Sequence, residues 1–395
     1  MNINQELKNN LQEGFSRVFG ENRETSCYFA PGRVNLIGEH TDYNGGKVFP
    51  CALTLGTYAV MSKTTSGQIR MYSENFPETG IKVADWGDLE YKEEDNWANY
   101  PKSVIYKLKQ EGYRIESGMD LYFWGNLPNQ SGLSSSASIE VLTCYIMVET
   151  FKLKITKEKM SILCQEAENE YMGVNCGIMD QFAICMGQQN KGIFLDTNTL
   201  KFEYVPIELG EYQLIIAQTN KKRTLGESAY NQRRLECNLA LNDLQQKRKL
   251  EYLCDLSKEE LEQNKQFICN PISYQRALHV VSENERTNQA VEFLKEGKLE
   301  EFGKLLNESH CSLRDLYEVT GKELDTLVEA AWKQEGVLGA RMTGAGFGGC
   351  TINLVKKSKV EDFIKNVDAE YTKGCGLKAD FYVVEIGNGP QKIFV

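Results

Sequence analysis

Apolar residues recur at helical spacing from Ile3 to Phe19, with Leu7, Leu11, Phe15 and Val18 on one stripe, so the chain is expected to open with an amphipathic helix. From Cys27 to Thr64 the pattern changes to short β-rich runs broken by glycine, and "IRMYS" and "IKVADW" continue it. "WANYPKSVIYKLKQEG" predicts a helix ending at Gly112, and "MDLYFWGNLP" a strand that runs out at Pro128. Ser134 to Phe151 is apolar nearly all round and reads as a buried helix. The next helix, about Lys157 to Met172, puts Met160, Leu163, Cys164, Ala167 and Tyr171 on one face.

Near residue 190 the texture resets. "KGIFLDTNTLKFEYVPI" and "YQLIIAQ" read as strands, followed by a long helix from about Glu227 to Lys249. Residues 250–335 are mostly helical and polar, their charge runs solvated faces. The chain closes with strand, helix and strand in "GARMTGAGFGGCTINLV", "KVEDFIKNV" and "ADFYVVEI". Without a regular βαβ alternation this mixture predicts an α+β protein of two domains, 1–190 and 191–395.

A chain of 395 residues exceeds the size at which one core stops growing, which agrees with two domains and a cleft. Its 45 basic and 55 acidic residues give a net charge of −10. Nucleic acid and anionic membranes need clustered positive charge, so neither is expected as a partner, and small-molecule chemistry fits better. "MNINQELKNN" shows no basic segment leading into an apolar run, and no stretch approaches the ~20 apolar residues of a membrane helix, so a cytoplasmic protein is expected. None of the 12 cysteines forms a CxxC pair; nearly all read as reduced core thiols. The three histidines, His40, His279 and His310, are too dispersed to suggest a metal site.

Three glycine-containing motifs carry the candidate chemistry. In "PNQSGLSSSASIEV" a strand ends, Pro and Gly turn the chain, and three serines open an apolar helix. One serine would cap that helix; three behind Gly132 form a row of donors at its positive end, which suits a phosphate. It is not a Walker loop, since no GxxxxGK[ST] occurs. The glycines Gly344, Gly346 and Gly349 of "TGAGFGGC" form a GxGxxG, but they lead into the strand "CTINLV" rather than a helix, which rejects a dinucleotide fingerprint. They either bring backbone close to a ligand or simply turn the chain. "APGRVNLIGEHTDYNGG" sets Arg33, Glu39, His40 and Asp42 around a strand end: either a surface hairpin with "NGG" as its turn, or a set that binds the hydroxyls of a sugar. Asp180 stands alone in the apolar "NCGIMDQFAI", so it either caps a helix or has a partner; paired with an Arg, an Asp stays ionised and could accept a proton from a hydroxyl. Lys221, Lys222 and Arg223 read as a solvated loop.

Together the motifs resemble a known family. "GRVNLIGEHTDYNGG" resembles the galactokinase signature, "PNQSGLSSSAS" the second motif of the GHMP small-molecule kinases, and "TGAGFGGC" their third; "WANY", "CGIMDQF" and "SAYNQRRLEC" resemble further galactokinase segments. The resemblance runs from about Cys27 to Ile386. It implies a ribosomal protein S5 domain 2-like N-terminal domain, a ferredoxin-like C-terminal domain and an active site between them. It implies phosphorylation of the anomeric hydroxyl of galactose by ATP with Mg²⁺. Carried over, Asp180 and Arg33 are the catalytic pair, and Glu39, His40, Asp42, Gly177 and Tyr230 contact the sugar. Gly132, Leu133, Ser134, Ser135, Ser136, Ala137, Gly344, Gly346 and Trp97 border the nucleotide, and Ser136 and Glu168 hold the metal ion. The residue pattern alone leaves Glu168 and Glu170 as alternatives, and only the resemblance selects Glu168. "SAYNQRR" departs from the usual pattern at Ala229 and Gln232, where Lys and Glu are more usual. The alternatives are a kinase of a related sugar such as N-acetylgalactosamine, more remotely of homoserine or mevalonate, or a non-catalytic galactose sensor; the intact "GLSSSA" and Asp180 speak against the sensor. A monomer is expected.

Overall fold

Five strands from the first 125 residues and one from the end of the chain build a six-stranded sheet in the order Gln391–Phe394, Ser26–Asn35, Pro50–Thr64, Gly118–Gly125, Gln68–Ser73, Lys82–Asp85. The computed structural model describes residues 5–115, 117–128, 132–221 and 226–394. One sheet face is covered by the opening helix Gln5–Phe19, whose Leu11, Phe15 and Phe19 meet Phe29, Tyr58 and Tyr122. The other carries helices Asn99–Gln110, Ser135–Phe151, Lys157–Glu170 and Met179–Met186 over the largest core. The helix Ser135–Phe151 has no polar side, as its sequence implied, and its inner residues from Ala137 to Met147 are largely buried.

The second half contains a four-stranded antiparallel sheet ordered Val337–Thr343, Cys350–Lys356, Tyr212–Gln218, Asp380–Val384. In chain order this sheet reads second, third, first, fourth, with helix Gly321–Trp332 packed against Val360–Cys375 on its face. That is the ferredoxin-like arrangement. Between the first strand and that helix, the polar segment forms the helices Gly226–Gln245, Lys258–Asn264, Pro271–Lys295 and Leu299–Ser312.

The strands do not divide cleanly at residue 190. Lys191–Asp196 pairs with Lys47–Val48 in a small three-stranded sheet, and Gln391–Phe394 returns to the edge of the first sheet. One core cluster also joins the two halves, packing Val34, Leu36 and Ile37 against Leu214, Ile352 and Val384. Each of the 12 cysteines is a free thiol, as the absence of CxxC pairs implied. Among the described residues no helix is long and apolar enough to cross a membrane.

Candidate active site

A cavity of about 590 Å³ opens where the two halves meet, lined by Arg33, Glu39, His40, Asp42, Glu168, Gly177, Asp180, Tyr230, Gly344 and Gly346, together with Tyr43, Cys176 and Phe347. Ten of the residues singled out from sequence therefore share one concavity. The surface-hairpin reading of "GRVNLIGEHTDYNGG" fails, since Arg33, Glu39 and His40 are nearly inaccessible, at 4%, 1% and 5% exposure.

Local irregularities aim these side chains. The pairing of Ser26–Asn35 with Pro50–Thr64 slips between Pro31 and Arg33, a bulge of the kind that redirects a side chain. Arg33 consequently reaches across the cavity floor. Its Nε and Nη2 donate to the two carboxylate oxygens of Asp180, each at 2.8 Å, and Nη1 donates to the Gly132 carbonyl at 2.6 Å. Burial works against the Arg33 charge, but Asp180, Glu39 and Asp42 together outweigh it and the guanidinium is held above its ordinary value. Asp180 sits in the first turn of Met179–Met186, where Ile178 occupies the cap position without a side-chain bond. Its carboxylate is committed to Arg33 rather than to capping, and its side chain stays 29% exposed toward the cavity.

The serine run behaves differently from a cap. Ser134, at the helix start with φ of 61°, makes no side-chain cap bond; its hydroxyl donates instead to Asp180. The Ser136 side chain lies near enough to Glu168 to favour its charged form. Ser135 is exposed, Leu133 and Ala137 are buried, and the Leu133 carbonyl accepts from the Arg33 amide at 3.2 Å. Asn129, Gln130 and Ser131 of this motif, and Lys222 and Arg223, lie outside the described residues. Lys221, read as solvated, is paired with Glu323 at 2.8 Å.

The alternatives Glu168 and Glu170 separate cleanly. Glu170 is exposed and pairs with Lys107, whereas Glu168 is buried and lines the cavity. Burial, with Asp180 nearby, pushes the Glu168 carboxyl up to about 7 despite the Ser136, Cys176 and Gln181 side chains, which favour its charged form. Behind it, Glu140 is fully buried and raised well above the carboxylate range by burial and by Glu168. Clustered carboxyl oxygens that are costly to ionise together, with a serine hydroxyl alongside, form a donor set suited to a hard divalent cation.

Also on the cavity lining, Asp42 is raised to about 7 by burial and by the like charges of Asp180 and Glu39. Gly177 passes so close to its carboxylate that a Cβ there would collide with it. His40 has a φ of 63° and is lowered to about 3, chiefly by burial. Its ring lies 5.8 Å from that of Tyr230 and 4.7 Å from that of Tyr317. The residues Gly344 and Gly346 lie on the loop joining Val337–Thr343 to Cys350–Lys356, a hairpin and not a helix entry. Trp97 stands apart. It is 7% exposed, packs edge-on against Phe123 and donates its Nε1–H to Thr79 at 3.1 Å, within the packed layer rather than at the cavity.

Four features escaped the sequence reading: Tyr43 and Cys176 on the wall, and Arg341 and Tyr317 behind it. Arg341 and Tyr317 are fully buried polar groups from the second half, which no local pattern announces.

The chain matches the galactokinase galactose-binding signature over residues 13–63 and the GHMP kinase N-terminal and C-terminal domains over 99–188 and 290–373. Galactokinase from Clostridium beijerinckii is 53% identical over 385 residues, covering 98% of this chain and 99% of that protein. This chain belongs to the galactokinase family. Bacillus subtilis galactokinase is 50% identical over 387 residues, with 98% and 99% of the two chains covered. The crystal structure of Lactococcus lactis galactokinase complexed with galactose superposes with a TM-score of 0.95 at 48% identity, over 98% of this chain and 100% of that one. A mevalonate kinase from Methanococcus jannaschii shares the fold, at a TM-score of 0.67 and 19% identity. The two-domain GHMP architecture expected from the motifs is thereby shown, and the S5-like and ferredoxin-like halves are those of the family.

Proposed function

We propose that this protein transfers the γ-phosphoryl group of ATP to the anomeric hydroxyl of α-D-galactose, giving galactose 1-phosphate and ADP. The observation that carries this reading is the Arg33–Asp180 pair, enclosed in one cavity with Glu39, His40, Asp42 and Tyr230, in a chain about half identical to galactokinases along nearly its whole length.

The residue roles follow from phosphoryl-transfer physics, in which positioning and charge neutralisation supply most of the rate. Asp180 receives the hydrogen bond of the C1 hydroxyl and directs an oxygen lone pair toward the γ-phosphorus. The P–O bond to the β-phosphate breaks as that oxygen bonds, ADP leaves, and the hydroxyl proton is taken up by the Asp180 carboxylate. Arg33, locked by its two bonds to Asp180, sits beside the charge that develops on the transferring group. His40, Asp42, Gly177 and Tyr230 border the sugar. The helix start at Gly132 to Ala137 and the loop at Gly344 and Gly346 border the phosphates, and the Ser134 hydroxyl steadies Asp180. Trp97 borders the adenine by resemblance alone, since its indole packs against Phe123 and donates to Thr79.

Ser136 and Glu168 fit a magnesium ion, because Glu168 is a buried carboxyl beside other acidic groups and is relieved by a cation. When bound, Mg²⁺ supplies charge neutralisation at the β- and γ-phosphates. Glu168 is held for that task by Gln181, whose amide donates to it at 2.6 Å. We read the protein as a cytoplasmic monomer with small molecules as its partners; twelve cysteines outside any disulfide accord with a reducing compartment.

The test is phosphoryl transfer from Mg-ATP to galactose, N-acetylgalactosamine, glucose and arabinose, with products identified by ³¹P NMR. An anomeric phosphate on galactose, with little on the others, is expected. Preference for another sugar moves the substrate assignment, and sugar binding without transfer makes the protein a sensor.

A further inference from the structure

Behind the sugar wall runs a chain of hydroxyl and thiol groups that no step above uses. His40 Nδ1 lies 2.7 Å from the Tyr43 hydroxyl, which lies 2.9 Å from the Tyr317 hydroxyl, which lies 3.1 Å from Cys237 Sγ. Tyr317 and Cys237 are at most 1% exposed, so water cannot complete these bonds. Tyr317 ends the five-residue π-helical turn Leu313–Tyr317. Such turns are rare and recur at functional sites. The turn is clamped, since Arg233 donates to the Tyr317 and Glu318 carbonyls and Arg276 to that of Leu316.

Each tyrosine hydroxyl has one proton and can run the chain in either of two directions. The direction decides which imidazole nitrogen carries the proton. His40 Nε2 is buried at the cavity with no hydrogen-bond partner among the described residues. Nδ1 is already engaged by Tyr43, so Nε2 is the nitrogen left for a ligand, and it carries the hydrogen when the Tyr43 hydroxyl donates to Nδ1. In that direction the proton order is Cys237 to Tyr317, Tyr317 to Tyr43, and Tyr43 to Nδ1. The neighbouring His279, by contrast, has both nitrogens engaged, Nε2 facing the Glu39 carbonyl at 3.2 Å and Nδ1 facing Ser312 at 2.8 Å.

We propose that Tyr317 is a positioning residue for sugar selection: acting through Tyr43, its hydroxyl fixes His40 as the Nε2–H tautomer, which presents one N–H donor to one sugar hydroxyl. This rests on the galactose reading of the cavity. Removing the Tyr317 hydroxyl frees Tyr43 to point its proton either way, and His40 loses its fixed donor without losing its place.

The variant Tyr317→Phe is compared with the parent on galactose and on 2-, 3-, 4- and 6-deoxygalactose. A rise in KM for galactose of about tenfold is expected, the scale of one neutral hydrogen bond, with kcat within about twofold. With the one deoxy sugar that lacks the hydroxyl facing Nε2, parent and variant should share the same KM. An equal rise with every sugar, or no rise, overturns the proposal. Independently of activity and of the variant's folding, ¹⁵N shifts of the parent's three histidines read the tautomer directly: a proton on Nε2 of His40 is expected, and one on Nδ1 overturns the relay. A parent that phosphorylates no galactose defeats the functional reading, while this spectrum still reports on the relay.

Discussion

Arg341 reaches Glu39 from the second half of the chain at 2.8 Å, with both side chains almost wholly out of solvent, at 0% and 2% exposure. Around that pair, Glu39 also accepts from the Gly344 amide at 2.8 Å, Thr343 at 3.2 Å and Asn35 at 2.9 Å. Arg341 donates to the Asn35 and Leu36 carbonyls. The carboxylate assigned to the sugar by resemblance thus spends its oxygens fastening the third glycine loop to the first motif, and borders the sugar from that fixed position. Burial raises its affinity for a proton in spite of Arg341.

Removing one partner of a buried pair strands the other charge. Glu39→Gln is therefore expected to lower the unfolding free energy by about 3–5 kcal/mol, read as a fall in the urea midpoint. Breaking the exposed Lys92–Asp88 pair, whose side chains are 43% and 52% accessible, should leave that midpoint in place. A midpoint unchanged in Glu39→Gln would mean that the Arg341 bonds to the Asn35 and Leu36 carbonyls and the apolar contacts join the two halves without the carboxylate's charge.

The Asp180 carboxylate, by contrast, is held by Arg33 and Ser134 at the rim of open space. Asp180→Asn keeps the side chain's shape but removes its charge and acceptor strength. A loss in kcat of about a thousandfold is expected, with far-ultraviolet circular dichroism unchanged. A folded variant retaining activity would remove Asp180 from the mechanism.

These two carboxylates show what the sequence could and could not disclose. Asp180 was legible because a lone acid in "NCGIMDQF" must be costly unless partnered, and Arg33 because a charge inside a strand of buried residues needs a reason. The helices were legible wherever their apolar stripe was long. The role of Glu39 was not, because its partners Arg341 and Gly344 lie some three hundred positions away in sequence and "GARMTGAG" reads as an ordinary strand end. Tyr43 and Tyr317 were hidden for the same reason, since a buried hydroxyl chain is assembled by packing and has no spacing of its own. The strand pairings across residue 190 depend likewise on long-range register.

Asp42 gives a pH-dependent test. Its ordinary value is 3.8, and in the folded protein it stands at about 7. A raised folded value means that the native state binds the proton more tightly. The contribution is fully present below about 4 and is lost as pH rises through 7. Asp42→Asn carries no such titration, so its stability relative to the parent should grow between pH 4 and pH 8. A gain of about 1–2 kcal/mol is expected, less than the full shift implies because Asp42 keeps partial contact with solvent. Thermal melts of both proteins at the two pH values measure it, and a constant difference would contradict the burial of this charge. The same variant should bind galactose more weakly, so stability gained here is lost in recognition.

Glu168 and Glu170 supply the last test, because they sit two residues apart on one helix and face opposite surroundings. Glu170 meets solvent and Lys107; Glu168 meets Ser136, Gln181 and the cavity. Glu170→Gln should leave the dependence of rate on Mg²⁺ untouched, whereas Glu168→Gln should raise the half-activating concentration by about tenfold or more, the range expected when a ligand's donor is weakened. Since the Glu168 carboxyl stands at about 7 through burial and Asp180, proton and cation compete for it. The parent should therefore need more Mg²⁺ as pH falls below about 7, and Glu168→Gln should lose that trend while staying impaired. A Mg²⁺ titration of the rate at pH 6 and pH 8 on the three proteins decides it: a trend that persists in Glu168→Gln would place the competing proton on the nucleotide rather than on this helix.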